Sequence, residues 1–314
     1  MCTTCGCSNG EPRIEGKSAA GDAELMHQHA DGTWHSHVHG GGTAHGGEPV
    51  YVRATAARQP SILAPSRRVQ IEQDILAKND AVAAQNRRFL DDHGVFALNL
   101  VSSPGAGKTT LLVRTIKAWQ ARSPVAVIEG DQQTSRDAER VRAAGVAAVQ
   151  VNTGKGCHLD AQMVAHALTN LRVADDSLLL IENVGNLVCP AAFDLGEAHK
   201  VVILSVTEGD DKPLKYPDMF SAADLMLINK IDLLPHVDFD VAAAIDYAGR
   251  VRPGIQSILL SAQSGAGLDE WLAWLERGLA VARECRETSV DTLRRRVADL
   301  ESELARYVAP ARTA

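Results

Sequence analysis

A glycine-rich segment between an apolar run and an amphipathic run constrains the fold of this chain most. The apolar run Val95–Val101 is typical of a buried strand, and the run Thr109–Ala121 has the periodicity of a helix. The segment that joins them reads Ser102-Ser103-Pro104-Gly105-Ala106-Gly107-Lys108-Thr109-Thr110. It matches the pattern G-x-x-x-x-G-K-[ST], except that a serine replaces the first glycine. The sequence therefore predicts a phosphate-binding loop between a strand and a helix.

The predicted loop supplies the groups that hold the phosphates of a nucleotide. Gly105 and Gly107 allow the backbone to curl so that its N–H groups face phosphate oxygens. Lys108 can neutralise charge on the β- and γ-phosphates, and the Thr109 hydroxyl can ligate Mg²⁺. Ser102 does not easily reach the dihedral angles of glycine, so we expect an adjusted loop entrance and an intact site. The expected nucleotide contacts in this loop are Gly105, Ala106, Gly107, Lys108, Thr109 and Thr110.

The 314-residue chain divides by composition into a predicted arm, a domain and a helix. Residues 1–65 are rich in Gly, His and polar residues and lack hydrophobic periodicity, which indicates a flexible, metal-binding arm. Residues 66–282 have the pattern of a globular domain, and residues 283–314 are charged and helical.

Strand-like and helix-like runs alternate within the globular region. This alternation predicts an α/β protein of the P-loop NTPase type, with a mainly parallel sheet and helices on both faces. Ligands of such sheets lie at the carboxyl ends of the strands. The predicted strands are Val95–Val101, Val125–Glu129, Ala147–Val151, Leu178–Glu182, Val201–Ser205, Leu225–Asn229 and Ile255–Leu260. The predicted helices include Val69–Leu90, Thr109–Ala121, Ser135–Ala143, Leu159–Leu171, Asp238–Arg250 and Leu268–Ala282.

A second motif predicts that the bound nucleotide carries guanine. The sequence N-K-I-D at 229–232 follows an apolar run and matches the N-K-x-D pattern of GTPases. The Asp232 carboxylate can accept hydrogen bonds from N1–H and the 2-amino group of guanine, whereas adenine lacks both donors. Asn229 can bond the base edge and tie loops together, and the stem of Lys230 can cover the ring. Ser261 and Ala262 follow the next strand and fit the loop that contacts guanine O6.

Acidic residues end two strands near the predicted phosphate loop. Asp131 and Glu182 are therefore candidates to hold Mg²⁺ or its waters together with Thr109. Gly185 could donate its backbone N–H to the γ-phosphate and move on hydrolysis. We assign the catalysis of GTP hydrolysis to Lys108, Thr109 and Asp131. No glutamine occupies the usual water-orienting position, so the catalytic base is not identified and slow turnover is expected.

Two groups of cysteines suggest binding of a soft or borderline metal. Cys2, Cys5 and Cys7 form C-x-x-C-x-C, and three thiolates at this spacing suit Zn²⁺, Cu(I) or Ni²⁺. The second group is Cys157-His158 with Cys189, which follows the Glu182–Gly185 segment closely. Two separate cysteines in an apolar domain are equally typical of simple burial, so spacing alone leaves this second site open.

Histidines lie between the first cysteine motif and the globular region. A histidine tract in a Gly-rich segment can buffer divalent ions weakly, and a solvated linker is the alternative. The members of this tract are His27, His29, His35, His37, His39 and His45.

The C-terminal region has a heptad pattern. Its apolar positions alternate by three and four residues, which fits either a coiled coil or an amphipathic helix lying on the domain. These positions are Val290, Leu293, Val297, Leu300, Leu304 and Tyr307.

Charge and hydropathy exclude several classes of partner. The formal net charge is −7 without a long basic block, so we expect no binding to nucleic acid or to an anionic membrane. No apolar run approaches the roughly 18 residues of a membrane span, and the N-terminus lacks the apolar region of a secretory signal. We therefore expect a cytoplasmic protein whose cysteines are metal ligands, reactive thiols or buried groups.

Taken together, these motifs resemble the HypB family, the nickel-insertion GTPases of [NiFe]-hydrogenase maturation. The resemblance covers residues 67–282 and the N-terminal cysteine motif. It is carried by Met1–Cys7, Ser102–Pro104, Glu129–Asp131, Cys157-His158, Glu182–Asn186, Thr207–Gly209 and Lys212-Pro213.

The resemblance implies properties that the residues alone do not. It implies a SIMIBI-type P-loop fold, GTP-dependent homodimerisation, and Ni²⁺ or Zn²⁺ bound by Cys157, His158 and Cys189 at the dimer interface. It also implies a tight nickel site at the N-terminal cysteines. Implied partners are a HypA-type nickel chaperone, the hydrogenase large-subunit precursor and, in some bacteria, the prolyl isomerase SlyD. The heptad helix is not part of the family pattern, and extra dimer contact and HypA docking both remain open.

Other functions stay open at this point. A sister GTPase, such as the urease nickel chaperone UreG or a cobalamin-enzyme chaperone, shares the nucleotide motifs but is disfavoured by the cysteine pattern. A nickel-storage protein with a regulatory GTPase domain is a second alternative. A GTP-dependent switch that docks a partner through the C-terminal helix is a third.

Overall fold

The computed structural model describes residues 65–131, 140–154, 156–288 and 290–308, with four two-residue strands nearer the N-terminus. Two of these strands, Arg13–Ile14 and Lys17–Ser18, join one edge of the main sheet in antiparallel orientation. The other two, His27–Gln28 and Trp34–His35, pair with each other. The sequence predicted no strands in this region, because two-residue strands are too short to show an alternating pattern.

Seven parallel strands form the sheet of the described globular region. The order across the sheet is β7-β6-β5-β1-β4-β2-β3, so the strand that precedes the phosphate loop lies in the centre. The α/β prediction is confirmed, and the strand boundaries agree to within two residues. The strands are β1 Phe96–Ser102, β2 Val125–Asp131, β3 Ala147–Asn152, β4 Leu178–Glu182, β5 His199–Ser205, β6 Leu225–Asn229 and β7 Gln256–Leu259.

Helices connect the strands and cover both faces of the sheet. Their bounds are α1 Pro65–Asp92, α2 Lys108–Trp119, α3 Ala161–Asn170, α4 Lys212–Lys215, α5 Pro217–Ala222, α6 Val241–Val251, α7 Leu268–Thr288 and α8 Val290–Val308. Short 3₁₀ helices add Cys189–Ala192 and Ile231–His236. The sequence missed α4, α5 and both 3₁₀ helices, because so few residues show no helical period. The predicted helix Ser135–Ala143 is helical at 140–142 and has a turn at Ala143, and its residues 135–139 lie outside the described residues.

The central strand buries side chains on both faces of the sheet. Phe96, Leu98 and Leu100 pack with α2 and α7, whereas Ala97 packs on the opposite face among residues of α1 and α3. All seven residues of β1 are buried. A near-continuous apolar run is what a parallel strand covered on two sides requires, so the run that suggested a strand also explains its central place.

The last helix leaves its apolar stripe exposed in the described structure. Leu293, Val297, Leu300 and Leu304 keep 50%, 55%, 58% and 65% of their surface accessible. The interpretation of α8 as a helix that buries its stripe on the domain is therefore wrong. The heptad pattern of α8 remains without a partner among the described residues.

Packing between α7 and β1 generates a test of this fold. A methyl group at Gly278 would overlap the buried ring of Phe96, so we expect Gly278→Ala to lower the free energy of unfolding by about 1–3 kcal/mol. Gly249 in α6 faces open space, and alanine there should be neutral or stabilising by up to about 1 kcal/mol. Urea unfolding of both variants measures the difference, and equal effects would contradict the α7–β1 contact.

Candidate nucleotide and metal site

The phosphate loop takes the conformation that its glycines allow. Gly105 and Gly107 have φ angles of 76° and 96°, in the left-handed region that side chains disfavour. Gly107 is the residue from which α2 begins, so the N-terminus of this helix points into the loop. The expectation of a curled loop that leads into a helix is confirmed.

The serine that departs from the loop pattern has a specific contact. The buried Lys108 ammonium donates to Ser102 Oγ at 2.7 Å, and this hydroxyl donates to the Ser103 carbonyl at 2.6 Å. Ser102 therefore gives the buried lysine an acceptor inside the protein. The sequence predicted only a changed loop entrance, because a contact between these two side chains depends on the folded loop.

A cavity of about 470 Å³ lies at the carboxyl ends of the strands, beside this loop. Its size falls in the range of small-molecule sites. From the predicted set, it is lined by Gly105, Gly107, Lys108, Thr109, Thr110, Asp131, Glu182, Gly185 and Lys230. The predicted contacts Ala106, Asn229, Asp232, Ser261 and Ala262 lie outside its lining.

Two acidic residues of neighbouring strands face the cavity from buried positions. Glu129 of β2 and Glu182 of β4 are register partners and are 3% and 6% exposed. Thr109 Oγ1 donates to Glu182 Oε1 at 2.7 Å. Two buried carboxylates side by side are costly unless a cation or a proton compensates them. These groups, with Asp131 at the end of β2, are hard oxygen ligands of the kind that Mg²⁺ prefers.

Glu129 and Arg140 also line the cavity, and sequence reasoning missed both. The acidic segment at the end of β2 was noted, but the choice between its two carboxylates needs the strand register. Since strand residues alternate in direction, a count from Asp131 back to Glu129 places both on one face. That alternation was the signal available for Glu129.

Asn229 joins the phosphate loop to the predicted base loop. Its buried side chain donates from Nδ2 to the Ala106 carbonyl at 2.9 Å and accepts at Oδ1 from Ala262 N–H at 3.1 Å. Lys230 has a left-handed backbone and donates from Nζ to the Gly105 carbonyl at 2.7 Å. The exposed carboxylate of Asp232 follows on a 3₁₀ helix. The predicted role of Asn229 in tying loops together is thus realised.

The end of β4 runs tightly against the phosphate loop. A Cβ atom at Gly185 would lie 3.2 Å from Pro104 Cα, which is closer than ordinary contact. Glycine at this position therefore allows the backbone after Glu182 to approach the loop. Val184 and Gly185 of this segment also line the cavity.

Three potential metal ligands meet at the segment that follows β4, whose first residues line the cavity. One ligand atom each of Cys157, His158 and Cys189 lies within 4.8 Å of the others. The Cys157 Sγ to His158 Nδ1 distance is 3.7 Å, and the His158 ring packs on Phe193 at 4.0 Å between centroids. The spacing in the sequence left this site open, and the fold brings its members together. Two sulfurs and one imidazole suit a borderline transition metal.

The environment of His158 favours its neutral, metal-binding form. Burial lowers the pKa of the imidazole below its ordinary value, and the nearby charge of Asp160 only partly opposes this effect. The Cys157 carbonyl accepts a hydrogen bond from Asn186 Nδ2 at 3.4 Å. Asn186 lies just beyond Gly185, so one short segment contacts both the phosphate loop and the metal-ligand loop.

The remaining predicted metal ligands are not placed by the structure. Cys2, Cys5, Cys7, His29, His37, His39 and His45 lie outside the described residues. His27 and His35 belong to the two-residue strands, where the backbone alone is described. None of the described helices is long and apolar enough to cross a bilayer.

Comparison with known proteins identifies the family of the chain. A family model described as CobW/HypB/UreG, nucleotide-binding domain, matches residues 96–258. The hydrogenase maturation factor HypB of Azotobacter vinelandii is 56% identical over 312 residues, which cover 97% of this chain and 100% of that protein. HypB of Escherichia coli K12 is 51% identical, covering 88% and 98%. The chain belongs to the HypB family.

Solved structures of HypB proteins share the fold. HypB from Helicobacter pylori, crystallised in complex with nickel, is 39% identical with a TM-score of 0.61 and covers 65% of this chain and 95% of its own. HypB from Archaeoglobus fulgidus is 42% identical with a TM-score of 0.61, covering 65% and 99%. The resemblance to the HypB family is confirmed.

The bonds of Asn229 generate a test of the nucleotide site. Alanine at this position unties the phosphate loop from the base loop, so we expect GDP affinity to fall at least about tenfold. Asn170→Ala is the matched control, because Asn170 is exposed and bonds only within α3 and its end. Titration calorimetry measures both, and equal GDP affinity in the two variants would contradict the assignment.

Proposed function

We propose that this chain is a GTP-hydrolysing nickel metallochaperone that delivers Ni²⁺ to the large-subunit precursor of [NiFe]-hydrogenase. The observation that carries the proposal is the Cys157–His158–Cys189 cluster, which is joined to the phosphate cavity by the segment after β4: Gly185 lines the cavity and Asn186 bonds the Cys157 carbonyl. The names of the relatives support it, since they are hydrogenase maturation factors. The nickel complex of the H. pylori relative supports the choice of metal.

The nucleotide chemistry follows from the groups around the cavity. Lys108 and the N–H groups of the loop hold the phosphates, and Asp232 selects guanine by accepting from N1–H and the 2-amino group. Bound Mg²⁺ would neutralise phosphate charge, held by Thr109 with Glu182 and Asp131 as direct or water-mediated ligands. Water attacks the γ-phosphate, the β–γ bridging bond breaks, and GDP and phosphate leave.

The metal is the cargo of this cycle. Two thiolates and a neutral imidazole bind Ni²⁺ or Zn²⁺ and leave at least one coordination position for another ligand. An incomplete ligand set suits transfer, because an acceptor can bind the ion before the donor releases it. A second copy of the chain can complete the set in a GTP-dependent homodimer.

Hydrolysis is proposed to control release. The segment from Glu182 to Asn186 contacts the phosphate loop through Gly185 and the Cys157 carbonyl through the side chain of Asn186. Loss of the γ-phosphate relaxes this segment and the Cys189 turn that follows it, which weakens metal binding. Nickel then passes to a partner.

The N-terminal arm and the partners complete the proposed pathway. Cys2, Cys5 and Cys7 hold nickel before transfer, and the histidine tract buffers it weakly. A HypA-type nickel chaperone and the hydrogenase precursor are the proposed partners in the cytoplasm, with a SlyD-like isomerase as a further one. Residues 1–65 act as the arm, 66–282 as the GTPase domain, and 283–314 as a separate helical element.

A comparison of nickel binding by the GDP-bound protein and by the protein with a GTP analogue tests this function. In a full-length Cys2, Cys5 and Cys7→Ala background, we expect Ni²⁺ affinity to differ between GDP and a non-hydrolysable GTP analogue. Adding Cys157→Ala and Cys189→Ala should remove the nucleotide-dependent nickel and leave only the weak binding of the histidine tract, because both thiolates of the cluster are lost. Equilibrium dialysis with metal analysis measures both effects.

Cys285 supplies the matched control for that experiment. It is an exposed free cysteine outside the cluster, so Cys285→Ala should bind nickel like its parent. Equal nickel affinity in the two nucleotide states would exclude GTP-gated release. Retention of the nucleotide-dependent nickel by the double variant would exclude the assigned site.

A further inference from the structure

A buried lysine fastens the turn that carries one metal ligand. Lys200 of β5 is 7% exposed, and its ammonium donates to the carbonyls of Pro190, Ala191 and Phe193 at 3.0, 3.2 and 3.1 Å. An ammonium has three N–H donors, and here each has a carbonyl acceptor. All three carbonyls belong to the 3₁₀ turn that begins at Cys189 or to the residue that caps it. One side chain therefore binds three backbone carbonyls of this turn.

A buried glutamate compensates this lysine and extends the contact inward. Glu197 Oε1 lies 3.9 Å from Lys200 Nζ and accepts from Asn99 Nδ2 at 3.1 Å, while Oε2 accepts from Leu195 N–H at 2.6 Å. Burial lowers the pKa of Lys200, and the carboxylate opposes that shift. Neither charged group reaches the nucleotide cavity. Proteins tolerate a buried charged side chain when it has an opposite charge nearby and all its hydrogen bonds are made.

Two asparagines carry the chain of hydrogen bonds across the sheet. Asn183 Nδ2 donates to Asn99 Oδ1 at 3.1 Å. Asn183 Oδ1 accepts from the N–H groups of Leu159 and Val184 at 3.1 and 3.0 Å. Leu159 directly follows His158, and Val184 directly precedes the glycine that lies against the phosphate loop. Asn183 thus holds both the metal-ligand loop and the end of β4.

We propose that Lys200 positions the Cys189 turn and that Glu197, Asn99 and Asn183 link this turn to the Cys157-His158 loop and the end of β4. These four residues form the polar chain. They are positioning residues, because none belongs to the metal-ligand cluster and only Asn183 borders the nucleotide cavity. The proposal rests on the proposed nickel function. It assigns the polar chain the task of making the geometry of the three ligands depend on the bound nucleotide.

The free-energy cost of burying the polar chain indicates that its residues do more than fill the core. A buried ion pair and two buried amides lie among apolar strands, where hydrophobic residues of similar volume are often as stabilising or more so. A fully satisfied polar network fixes one geometry, because every alternative leaves a buried group unpaired. Such a network also transmits displacement between its ends, since both ends share bonded partners.

Two substitutions test separately whether Lys200 positions the Cys189 turn and whether the polar chain links the turn to the nucleotide. Both are made in the full-length Cys2, Cys5 and Cys7→Ala background, and Ni²⁺ is the probe. Lys200→Met releases the Cys189 turn, so the thiolate-to-nickel charge-transfer band should weaken and Ni²⁺ affinity fall at least about tenfold. Asn99→Ala interrupts the polar chain in its middle. It should keep the absorption band but bring the ratio of Ni²⁺ affinities in the two nucleotide states close to one.

Asn86→Ala is the matched control for Asn99→Ala. Asn86 is a buried asparagine that bonds the carbonyls of Ala161 and Leu195 and lies outside the polar chain. A comparable loss of stability with an unchanged affinity ratio is expected. An identical ratio of Ni²⁺ affinities in the two alanine variants overturns the proposed link through Asn99. An unchanged thiolate-to-nickel band in Lys200→Met overturns the positioning role of Lys200. If the parent protein binds Ni²⁺ equally in the two nucleotide states, the proposed GTP gating is wrong. The absorption band of Lys200→Met then still tests whether Lys200 positions the Cys189 turn.

A second feature, independent of the site, is the exposed seam of α8. In the heptad register, Val290, Val297 and Leu304 occupy a positions, and Leu293 and Leu300 occupy d positions. Valine at a with leucine at d favours two-stranded coiled coils. The described members of the seam are at least half exposed, so the domain does not cover them.

The charges that flank the seam specify the partner and its direction. Arg294 and Arg296 occupy e and g positions in the first half of α8, and Glu301 and Glu303 occupy e and g positions in the second half. A second α8 running antiparallel sets each basic half against an acidic half. Parallel helices would instead bring the two basic halves together and pair only Arg296 with Glu301.

We infer that α8 forms an antiparallel two-stranded coiled coil with α8 of a second copy of this chain. The charge pattern is fully complementary to itself only in that direction. In this arrangement Leu293 of one copy faces Leu304 of the other, and Val297 faces Leu300 at the centre of the helix pair. This contact is separate from the GTP-dependent contact proposed between the GTPase domains, and it needs neither nucleotide nor metal.

Sedimentation of the full chain without nucleotide and with EDTA tests the association. The wild type should be a dimer, and Leu300→Glu at the seam should be a monomer. Ser302→Glu, at an outer f position of the same helix, introduces the same charge and should stay dimeric. A monomeric wild type, or a Leu300→Glu variant that remains dimeric, overturns the proposal.

Disulfide trapping tests the direction. All six native cysteines are changed to serine, and Leu293→Cys chains are mixed with Leu304→Cys chains under oxidation. An antiparallel coil should link the two different chains. Efficient linkage of Leu293→Cys chains to each other would instead indicate parallel helices and overturn the antiparallel assignment.

Discussion

The pairing of β1 between β4 and β5 is the constraint on which the site depends. Parallel strands end at the same edge of a sheet, so the loop after β1 lies beside the segments that follow its neighbours. This brings Lys108 to the acidic end of β4 and brings Asn229, at the end of β6, to the carbonyl of Ala106. Any shift of β1 by one position would reverse its buried faces and separate these groups.

The metal ligands use the same edge of the sheet but are held differently from the nucleotide groups. The phosphate loop is shaped by its own glycines, whereas the Cys189 turn has its carbonyls bound by Lys200 from β5. The Cys157-His158 loop is held by Asn183, whose side-chain oxygen accepts from the N–H group of Leu159. The nucleotide cavity and the ligand cluster therefore share β4 and its following segment as common support. This shared support is the physical basis of the proposed coupling between them.

The C-terminal helix stands apart from this arrangement. Its apolar side chains that the structure describes add nothing to the core of the domain, and its flanking charges divide into a basic and an acidic half. Exposed leucines on a 19-residue helix favour association, because their burial is the only way to remove that surface from water. A contact of this kind would hold two copies near each other throughout the nucleotide cycle.

The sequence by itself determined the strands, the long helices, the phosphate loop and the guanine motif, because periodicity and adjacent residues encode them. Tertiary structure alone decided that Cys157 and Cys189 meet, that Glu129 lies beside Glu182, and that Lys200 binds three carbonyls. The reason is that such distances join segments far apart in the chain. They depend on the order and register of the strands, which no local pattern specifies.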